Sequence, residues 1–367
     1  MDISFFRSSS LNNWSYCQQQ YFLTYVLGLE STANIKTDMG TITHKVLEIL
    51  AMIKHAVQRG EDFIEDDIVG KMKFGKDWMK PTMMTEEELA AENKSRSAKT
   101  IYKYPCLLPA KHVRYGVKLV NEIVDTVYKY YTDKLPHHNW TGATAKQVRI
   151  MSWIALDFKD GMFDPRKRDI ISPEKRFDFA IEEPWAKGPD GEYLRLKGTI
   201  DLLTKIDDDT IEIIDWKTGQ RMDWAAKDTP TKDFKRLCKD TQLMLYYYAV
   251  KQMYPEYKHV ILSIFFIRDG GPFSLCFDEE TIDKIKSKIK ATAAVIKDCE
   301  VPKLVSSGQT DFRCTCLCHF YKNNWPGTNT NICKYAHEYI KKNGIEAASE
   351  DLRKKDFATS DYKAPGE

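Results

Sequence analysis

Residues 213–219 read Ile-Ile-Asp-Trp-Lys-Thr-Gly, and shortly before them residues 197–201 read Lys-Gly-Thr-Ile-Asp. Each stretch has the composition of a β-strand, and each carries one carboxylate among apolar neighbours. Side chains two positions apart on a strand share a face, so Asp215 and Lys217 are expected to project together while Trp216 points to the opposite side. The sequence therefore predicts two neighbouring strands that bring two carboxylates and a lysine together.

This set of side chains suits the hydrolysis of a phosphodiester bond. Mg²⁺ and Mn²⁺ prefer oxygen ligands, and one or two carboxylates with a substrate phosphate are enough to hold them. Asp201 and Asp215 would bind such an ion, while Lys217 would orient the attacking water or help to deprotonate it. The same residue types also occur at an ordinary strand end, so the strand pair alone leaves both interpretations open.

Composition narrows the class of protein. The chain has 367 residues, 43% of them hydrophobic, and its 55 basic and 53 acidic residues give a net charge of +2, so any nucleic-acid-binding surface must be local. It contains no apolar run of about 18 residues and no basic N-terminal region followed by an apolar stretch. We therefore expect neither a membrane span nor secretion. Nine cysteines, an odd number, fit reduced thiols in a cytoplasm.

The periodicity of the whole chain predicts an α/β protein with a central mixed sheet flanked by helices and an N-terminal helical region. The predicted strands are 148–158, 176–182, 193–205, 210–216, 260–267 and 272–277. The predicted helices are 41–57, 113–131, 239–253 and 282–296, with residues 61–103 as a surface excursion. We divide the chain into a helical region (1–145), a sheet-containing core (146–300), a cysteine-containing segment (301–350) and a flexible tail (351–367).

Further motifs extend the strand pair. Gly-x-x-Asp at 198–201 and Asp-Trp-Lys-Thr-Gly at 215–219 are followed, on a predicted helix, by Gln242-x-x-x-Tyr246. This series resembles the RecB-like branch of the PD-(D/E)XK nuclease superfamily, which includes stand-alone exonucleases. The resemblance spans about residues 10–340. It implies a restriction-endonuclease-like fold, a divalent metal ion and a catalytic centre built on Asp201, Asp215 and Lys217.

The same resemblance implies roles for four more side chains. Gln242 would help to hold the catalytic lysine, and Tyr246 would approach the DNA backbone. Gly-x-x-x-His at 40–44 is similar to the motif whose histidine ligates the metal, so His44 would be a third ligand. Glu174 resembles an additional acidic position on the preceding strand. Taken singly, these residues also fit a core tyrosine with its glutamine, a structural histidine and a surface glutamate.

The cysteines raise a separate question. Some members of this branch hold an iron–sulfur cluster with one early and three late cysteines, and the candidates here are Cys17, Cys314, Cys316, Cys318 and Cys333. The Cys-x-Cys-x-Cys spacing departs from the Cys-x-x-Cys of the family. Three alternatives remain open: a [4Fe-4S] cluster on four of the five, zinc with His319 or His337 as a mixed ligand, and unligated thiols.

The sequence thus predicts a Mg²⁺- or Mn²⁺-dependent DNA exonuclease acting on single-stranded or end-containing DNA in replication, recombination or repair. The alternatives are a structure-selective or CRISPR-adaptation-type endonuclease of the same fold and a catalytically decayed DNA-binding module. The chain has no Gly-x-x-x-x-Gly-Lys-Ser/Thr phosphate loop, so it would act alone or with a separate helicase, recombinase or single-strand-binding protein. The expected setting is the cytoplasm of a bacterium or a phage-infected cell.

Basic and aromatic residues outside the motifs supply candidate DNA contacts. The candidates for phosphate are Lys103, Lys111, Arg114, Arg166, Lys167, Arg168, Lys232, Lys235, Arg236 and Lys239. The candidates for base stacking are Trp224, Tyr246, Tyr247 and Tyr248.

Overall fold

A computed structural model describes residues 1, 3–31, 34–61, 68, 116–188, 190–223, 231–269, 271–305 and 311–353, and the backbone alone at 81–83 and 113–115. Several expectations lie outside the described residues: Lys103, Lys111, Trp224, the Arg114 side chain, most of the 61–103 segment and the tail from 354 onward. In the described part of the chain, no helix is long and apolar enough to cross a membrane.

A six-stranded mixed sheet forms the centre of the molecule. The strands are β1 (Phe5–Phe6), β2 (Pro81–Met83), β3 (Val113–Tyr115), β4 (Asp169–Ala180), β5 (Arg195–Lys205), β6 (Thr210–Lys217), β7 (His259–Phe266) and β8 (Gly271–Cys276). β2 and β3 form a separate two-stranded sheet. In the main sheet β4, β5 and β6 are antiparallel neighbours, β6 is parallel to β7, and β8 runs antiparallel to β7. β1 joins β5 in parallel.

Helices cover both faces of this sheet. They are α1 (Ser8–Tyr16), α2 (Gln18–Tyr21), α3 (Ile35–Gln58), α4 (Val117–Lys134), α5 (Gly142–Asp157), α6 (Phe234–Leu237), α7 (Thr241–Met253), α8 (Glu280–Lys297), α9 (His319–Lys322), α10 (Ile332–Asn343) and α11 (Ile345–Arg353). One buried cluster joins Ile213 of β6 to α1, α7, α8 and the C-terminal helices. The other joins Ile214 and Trp216 to α3, α4 and α5. Successive side chains of β6 therefore pack into two different cores. This arrangement confirms the predicted fold class.

One strand prediction was wrong. Residues 148–158 belong almost entirely to α5, whose first turn is capped by the side chain of Thr141. The helix buries Met151, Trp153 and Leu156 together with most residues between them. A short apolar run that is buried on all sides has no helical periodicity, so pattern alone does not distinguish it from a strand. The proposed boundary between residues 145 and 146 consequently falls inside α5.

Two features of the sheet were not anticipated. β1 brings the N-terminal segment into the sheet beside Arg195 and Leu196 of β5. β6 pairs with the same edge of β5 as β1 does, but only from Lys205↔Ile211 to Leu202↔Ile214. β6 remains paired with β7 as far as Lys217. β5 and β6 therefore diverge immediately after their last paired residues.

Candidate active site

The predicted catalytic residues lie where β5 and β6 diverge. Asp201 and Asp215 are the first residues beyond the paired stretch, one on each strand. α3 borders the same opening with His44, and α7 supplies Gln242. An open cleft of about 1040 Å³ lies there, and its lining includes Lys36, Gly40, His44, Lys45, Glu48, Tyr131, Glu174, Asp201, Thr218 and Arg268.

Asp215 and Lys217 project to the same side of β6, as the alternation predicted. The Lys217 Nζ donates to Asp215 Oδ1 at 2.8 Å and lies 2.7 Å from Oδ2. Asp215 is fully buried, and burial raises its pKa to about 6 even though Lys217 acts to lower it. Burial opposes the charge of Lys217, but Asp215 and Asp201 raise the pKa of its ammonium above the usual value. The pair therefore keeps a charged lysine beside a carboxylate.

Asp201 and His44 complete one side of this group. Asp201 Oδ2 accepts a hydrogen bond from the backbone N–H of Trp216 at 2.9 Å and lies 3.5 Å from His44 Nδ1. Burial raises the pKa of Asp201, while burial and the positive charge of Lys217 lower the pKa of His44 to about 4. His44 is consequently a neutral imidazole at pH 7, the form in which histidine ligates metals.

Gln242 and Tyr246 form a hydrogen-bonded chain behind Asp215. The Gln242 Nε2 donates to Asp215 Oδ1 at 3.3 Å and to the Tyr246 hydroxyl at 2.8 Å. The Tyr246 hydroxyl in turn donates to the Thr199 carbonyl at 2.8 Å, on the part of β5 that lies beyond its pairing with β6. Both side chains thus share one helical face, as predicted. Their implied roles toward Lys217 and DNA stay predictions, and Tyr246 is only 5% exposed.

Two glutamates add further carboxyl groups to the cleft. Glu174 of β4 has a left-handed backbone, with φ 44°, a conformation that bulky residues adopt only when their surroundings enforce it. Burial, with the nearby charges of Asp201 and Glu48, raises its pKa to about 8. Glu48 was missed in the sequence, although it lies one helical turn after His44 and lines the same cleft.

These side chains fit a divalent cation. Burial raises the pKa values of the two aspartates and of Glu174, and neighbouring carboxylates raise them further, so a cation bound among them would stabilise their charged forms. Asp215 Oδ2 is buried and accepts no well-oriented hydrogen bond, although Lys217 is near. Oxygen donors with one neutral imidazole form a ligand set that Mg²⁺ or Mn²⁺ accepts.

Glycines in two of the motifs allow this close assembly. A Cβ on Gly40 would lie 2.5 Å from Thr218 Oγ1, so glycine lets α3 approach the end of β6. A Cβ on Gly198 would lie 2.4 Å from the ring of Phe177 on the neighbouring strand β4. The glycines of Gly-x-x-x-His and Gly-x-x-Asp thus have a steric explanation.

Four of the five candidate cysteines line one cavity of about 450 Å³: Cys17, Cys314, Cys318 and Cys333. Cys316 is exposed and absent from its lining. Burial raises the pKa of Cys314 to about 11, and burial with three neighbouring thiols raises that of Cys333. Cys318 also lines the catalytic cleft, so the two sites adjoin. His337 borders the cysteine cavity.

Most of the basic residues that the sequence suggested as phosphate contacts, among those that the structure describes, interact with other residues of the protein. Arg166 is 2% exposed and bound to Asp164, so its prediction as a DNA contact was wrong. Arg168 is paired with Glu212. Lys232 and Arg236 are likewise paired, with Asp240 and Asp223. The cations that line the cleft are Lys36, Lys45 and Arg268, none of which the sequence had singled out.

The family model of the PD-(D/E)XK nuclease superfamily matches residues 8–320, a span that includes every catalytic candidate. The chain belongs to the PD-(D/E)XK nuclease superfamily. No curated protein matches it. A crystal structure from Eubacterium rectale, of a protein provisionally named an exonuclease, aligns at 11% identity over 83% of this chain and 86% of that one. Its TM-score is 0.33, which adds nothing to the family assignment.

Proposed function

We propose that this PD-(D/E)XK nuclease is a metal-dependent deoxyribonuclease whose catalytic centre is Asp201, Asp215 and Lys217. The observation that carries the proposal is the meeting of these three side chains with His44 where β5 and β6 diverge. A decayed binding module would not need a half-buried lysine paired with a buried carboxylate beside a neutral histidine.

His44, Asp201 and Asp215 would hold Mg²⁺ or Mn²⁺, which supplies Lewis acidity toward the scissile phosphate and an acidified water. Lys217 lies within hydrogen-bonding reach of Asp215, and its ammonium would orient the attacking water and offset charge on the phosphate. The side-chain amide of Gln242 donates a hydrogen bond to Asp215 Oδ1 and so holds this carboxylate in position. Glu174 keeps its proton at neutral pH in the metal-free protein, and we include it as an additional catalytic acid.

The proposed substrate is single-stranded or end-containing DNA, cut as an exonuclease during replication, recombination or repair. Lys36 and Arg268 supply positive charge along the cleft, where a phosphate backbone would lie, whereas Lys45 is paired with Glu48. A structure-selective endonuclease of the same fold would use the same centre. A separate helicase, recombinase or single-strand-binding protein is a proposed partner, and the cytoplasm is the proposed location.

The cysteine cavity is proposed to hold a [4Fe-4S] cluster through Cys17, Cys314, Cys318 and Cys333. A [4Fe-4S] cluster takes four cysteine thiolates, and four of the candidate cysteines line this one cavity. Anaerobic purification followed by iron, sulfide and zinc analysis tests this assignment. Zinc alone would support the zinc alternative, and the absence of all three elements would leave unligated thiols.

The nuclease proposal is tested by digestion of end-labelled linear DNA and closed circular DNA with Mg²⁺. We expect Asp215→Asn to lower the rate at least about 100-fold, because it removes a carboxylate ligand of the proposed metal ion. The matched control is Asp208→Asn, on an exposed turn between β5 and β6. Equal rates for both variants would refute the assigned centre. Cutting of closed circles would favour the endonuclease.

A further inference from the structure

A second group of metal-ligand residues lies at the beginning of α3. Asp38 is in the first turn of that helix, and His137 and His138 lie in the turn between α4 and α5. One ligand atom from each of the three falls within 4.8 Å of the others. The His138 Nε2 is 2.5 Å from Asp38 Oδ2, and the two imidazole rings are 4.1 Å apart. None of the three lines the catalytic cleft.

The surrounding turn holds the histidines in place. The backbone N–H of His138 donates to the Leu135 carbonyl at 3.3 Å, and the N–H of Trp140 donates to the His138 carbonyl at 3.0 Å. The Trp140 indole N–H also donates to the Leu135 carbonyl, and its ring stands edge-on to His138. Asp38 is 7% exposed. Asp38 and His138 are therefore positioned by packing and hydrogen bonds, as a built metal site requires, and the exposed His137 side chain lies next to them.

We propose that Asp38, His137 and His138 bind a transition-metal dication of the zinc type. Two imidazoles and one carboxylate are a ligand set that zinc uses with a water in the fourth position. Ligand atoms around tetrahedral zinc lie about 3.4 Å apart, so small side-chain movements that separate His138 from Asp38 would make room for the ion. Mg²⁺ prefers oxygen donors, which separates this site chemically from the proposed catalytic one.

Such an ion would fasten the start of α3 to the turn between α4 and α5. His44 lies six residues after Asp38, about 9 Å farther along the same helix. The metal would thus fix the helix that carries His44 without touching DNA or the reacting groups. Because its ligands lie outside the cleft, the proposed zinc site does not depend on whether the proposed nuclease activity is found.

Equilibrium dialysis against Zn²⁺, with millimolar Mg²⁺ present, tests the site in the full-length chain. We expect the unaltered protein to bind one more zinc per chain than His137→Ala, or to bind that zinc at least about tenfold more tightly. His137 is exposed, so the variant should fold, which its unfolding temperature without zinc would verify. The matched control is His55→Ala, also on α3, which should bind zinc like the unaltered protein.

Asp38→Asn is the second test variant and should lose the same zinc. The unaltered protein should also show a rise in unfolding temperature on zinc addition that His137→Ala lacks. Any zinc held by the cysteines is common to all four proteins and cancels in the comparison. Equal zinc stoichiometry and affinity in all of them would overturn the proposal.

Discussion

At the scale of single residues, burial controls the chemistry of the cleft. The same loss of water raises the pKa of Asp215 to about 6 and of Glu174 to about 8, and lowers that of His44 to about 4. Lys217 remains charged because the aspartates outweigh its own desolvation. The metal-free site therefore binds protons that the unfolded chain would release, and this has a measurable effect on stability.

We expect the metal-free protein to lose stability as the pH rises from 6.5 to 8. In this window folded Glu174 still holds a proton that the unfolded chain released near its ordinary pKa of 4.5, so the free energy of unfolding falls with pH. The unfolded His44 imidazole, with its ordinary pKa of 6.5, still loses a proton at the lower end of this window and opposes the fall slightly, whereas Asp215 with a pKa of about 6 has largely titrated below it. Urea denaturation in EDTA at the two pH values measures the effect. Glu174→Gln should flatten the dependence, and an unchanged slope in that variant would contradict the assignment.

Tyr246→Phe separates a structural role from a DNA contact. The variant loses the bonds of the hydroxyl to the Thr199 carbonyl and Gln242, which we expect to cost about 1 to 2 kcal/mol of stability. Chemical denaturation and the dissociation constant for DNA at fixed salt concentration are the two measurements. A structural role predicts lower stability with unchanged DNA affinity of the folded protein. Weaker binding at full stability would instead support the DNA contact.

At the scale of elements, the site depends on how closely α3 approaches the divergent end of β6. Gly40 is the point of contact, because a methyl group there would meet Thr218 Oγ1. His44 and Glu48 follow at one-turn intervals on the same helix. A small outward shift of α3 would therefore move both side chains away from Asp201 together.

Gly40→Ala should lower the free energy of unfolding by roughly 1 to 3 kcal/mol through overpacking, partly offset by the better helix propensity of alanine. Thr218→Ala in the same chain should restore most of the loss, since it removes the clashing oxygen. Gly142→Ala, at the start of α5, is the control because nothing lies within 4 Å of its added methyl. Equal effects of the Gly40 and Gly142 changes would rule out the close contact.

Elements with strong local signals were predictable from the sequence. β5, β6 and α7 lie within a few residues of the expected positions, since alternation and helical spacing are visible there. α5 was not, because a helix buried on all sides loses its periodicity. β1 has only two residues, too few for a pattern. Glu48 and Arg268 reach the cleft through tertiary packing, which one sequence does not display.

At the scale of the whole molecule, the N-terminal segment contacts residues 297–333. The N-terminal amine donates to the Lys297 carbonyl, and Gln18 accepts from the backbone of Lys303. Cys17 meets Cys314, Cys318 and Cys333 around a single cavity. The sheet core is consequently held between residues that lie far from its strands in the sequence.

Cys17→Ser and Cys333→Ser should therefore destabilise the anaerobically purified protein by similar amounts, and the double variant by little more than either alone. Residues that serve one bound group are non-additive. Cys316→Ser is the matched control, because that thiol is exposed and outside the cavity. Thermal unfolding of the four variants measures this, and additive losses from Cys17 and Cys333 would argue for separate thiols.

These contacts between early and late residues set an order of events during synthesis of the protein. A ribosome synthesises Cys17 long before Cys333, which lies 316 positions later in the sequence (333 − 17). The catalytic strands β5 and β6 emerge between the two. Any group that requires all four thiols can be completed only after Cys333 has been synthesised, so a chain truncated before that residue would carry the catalytic acids but lack one of the four thiols.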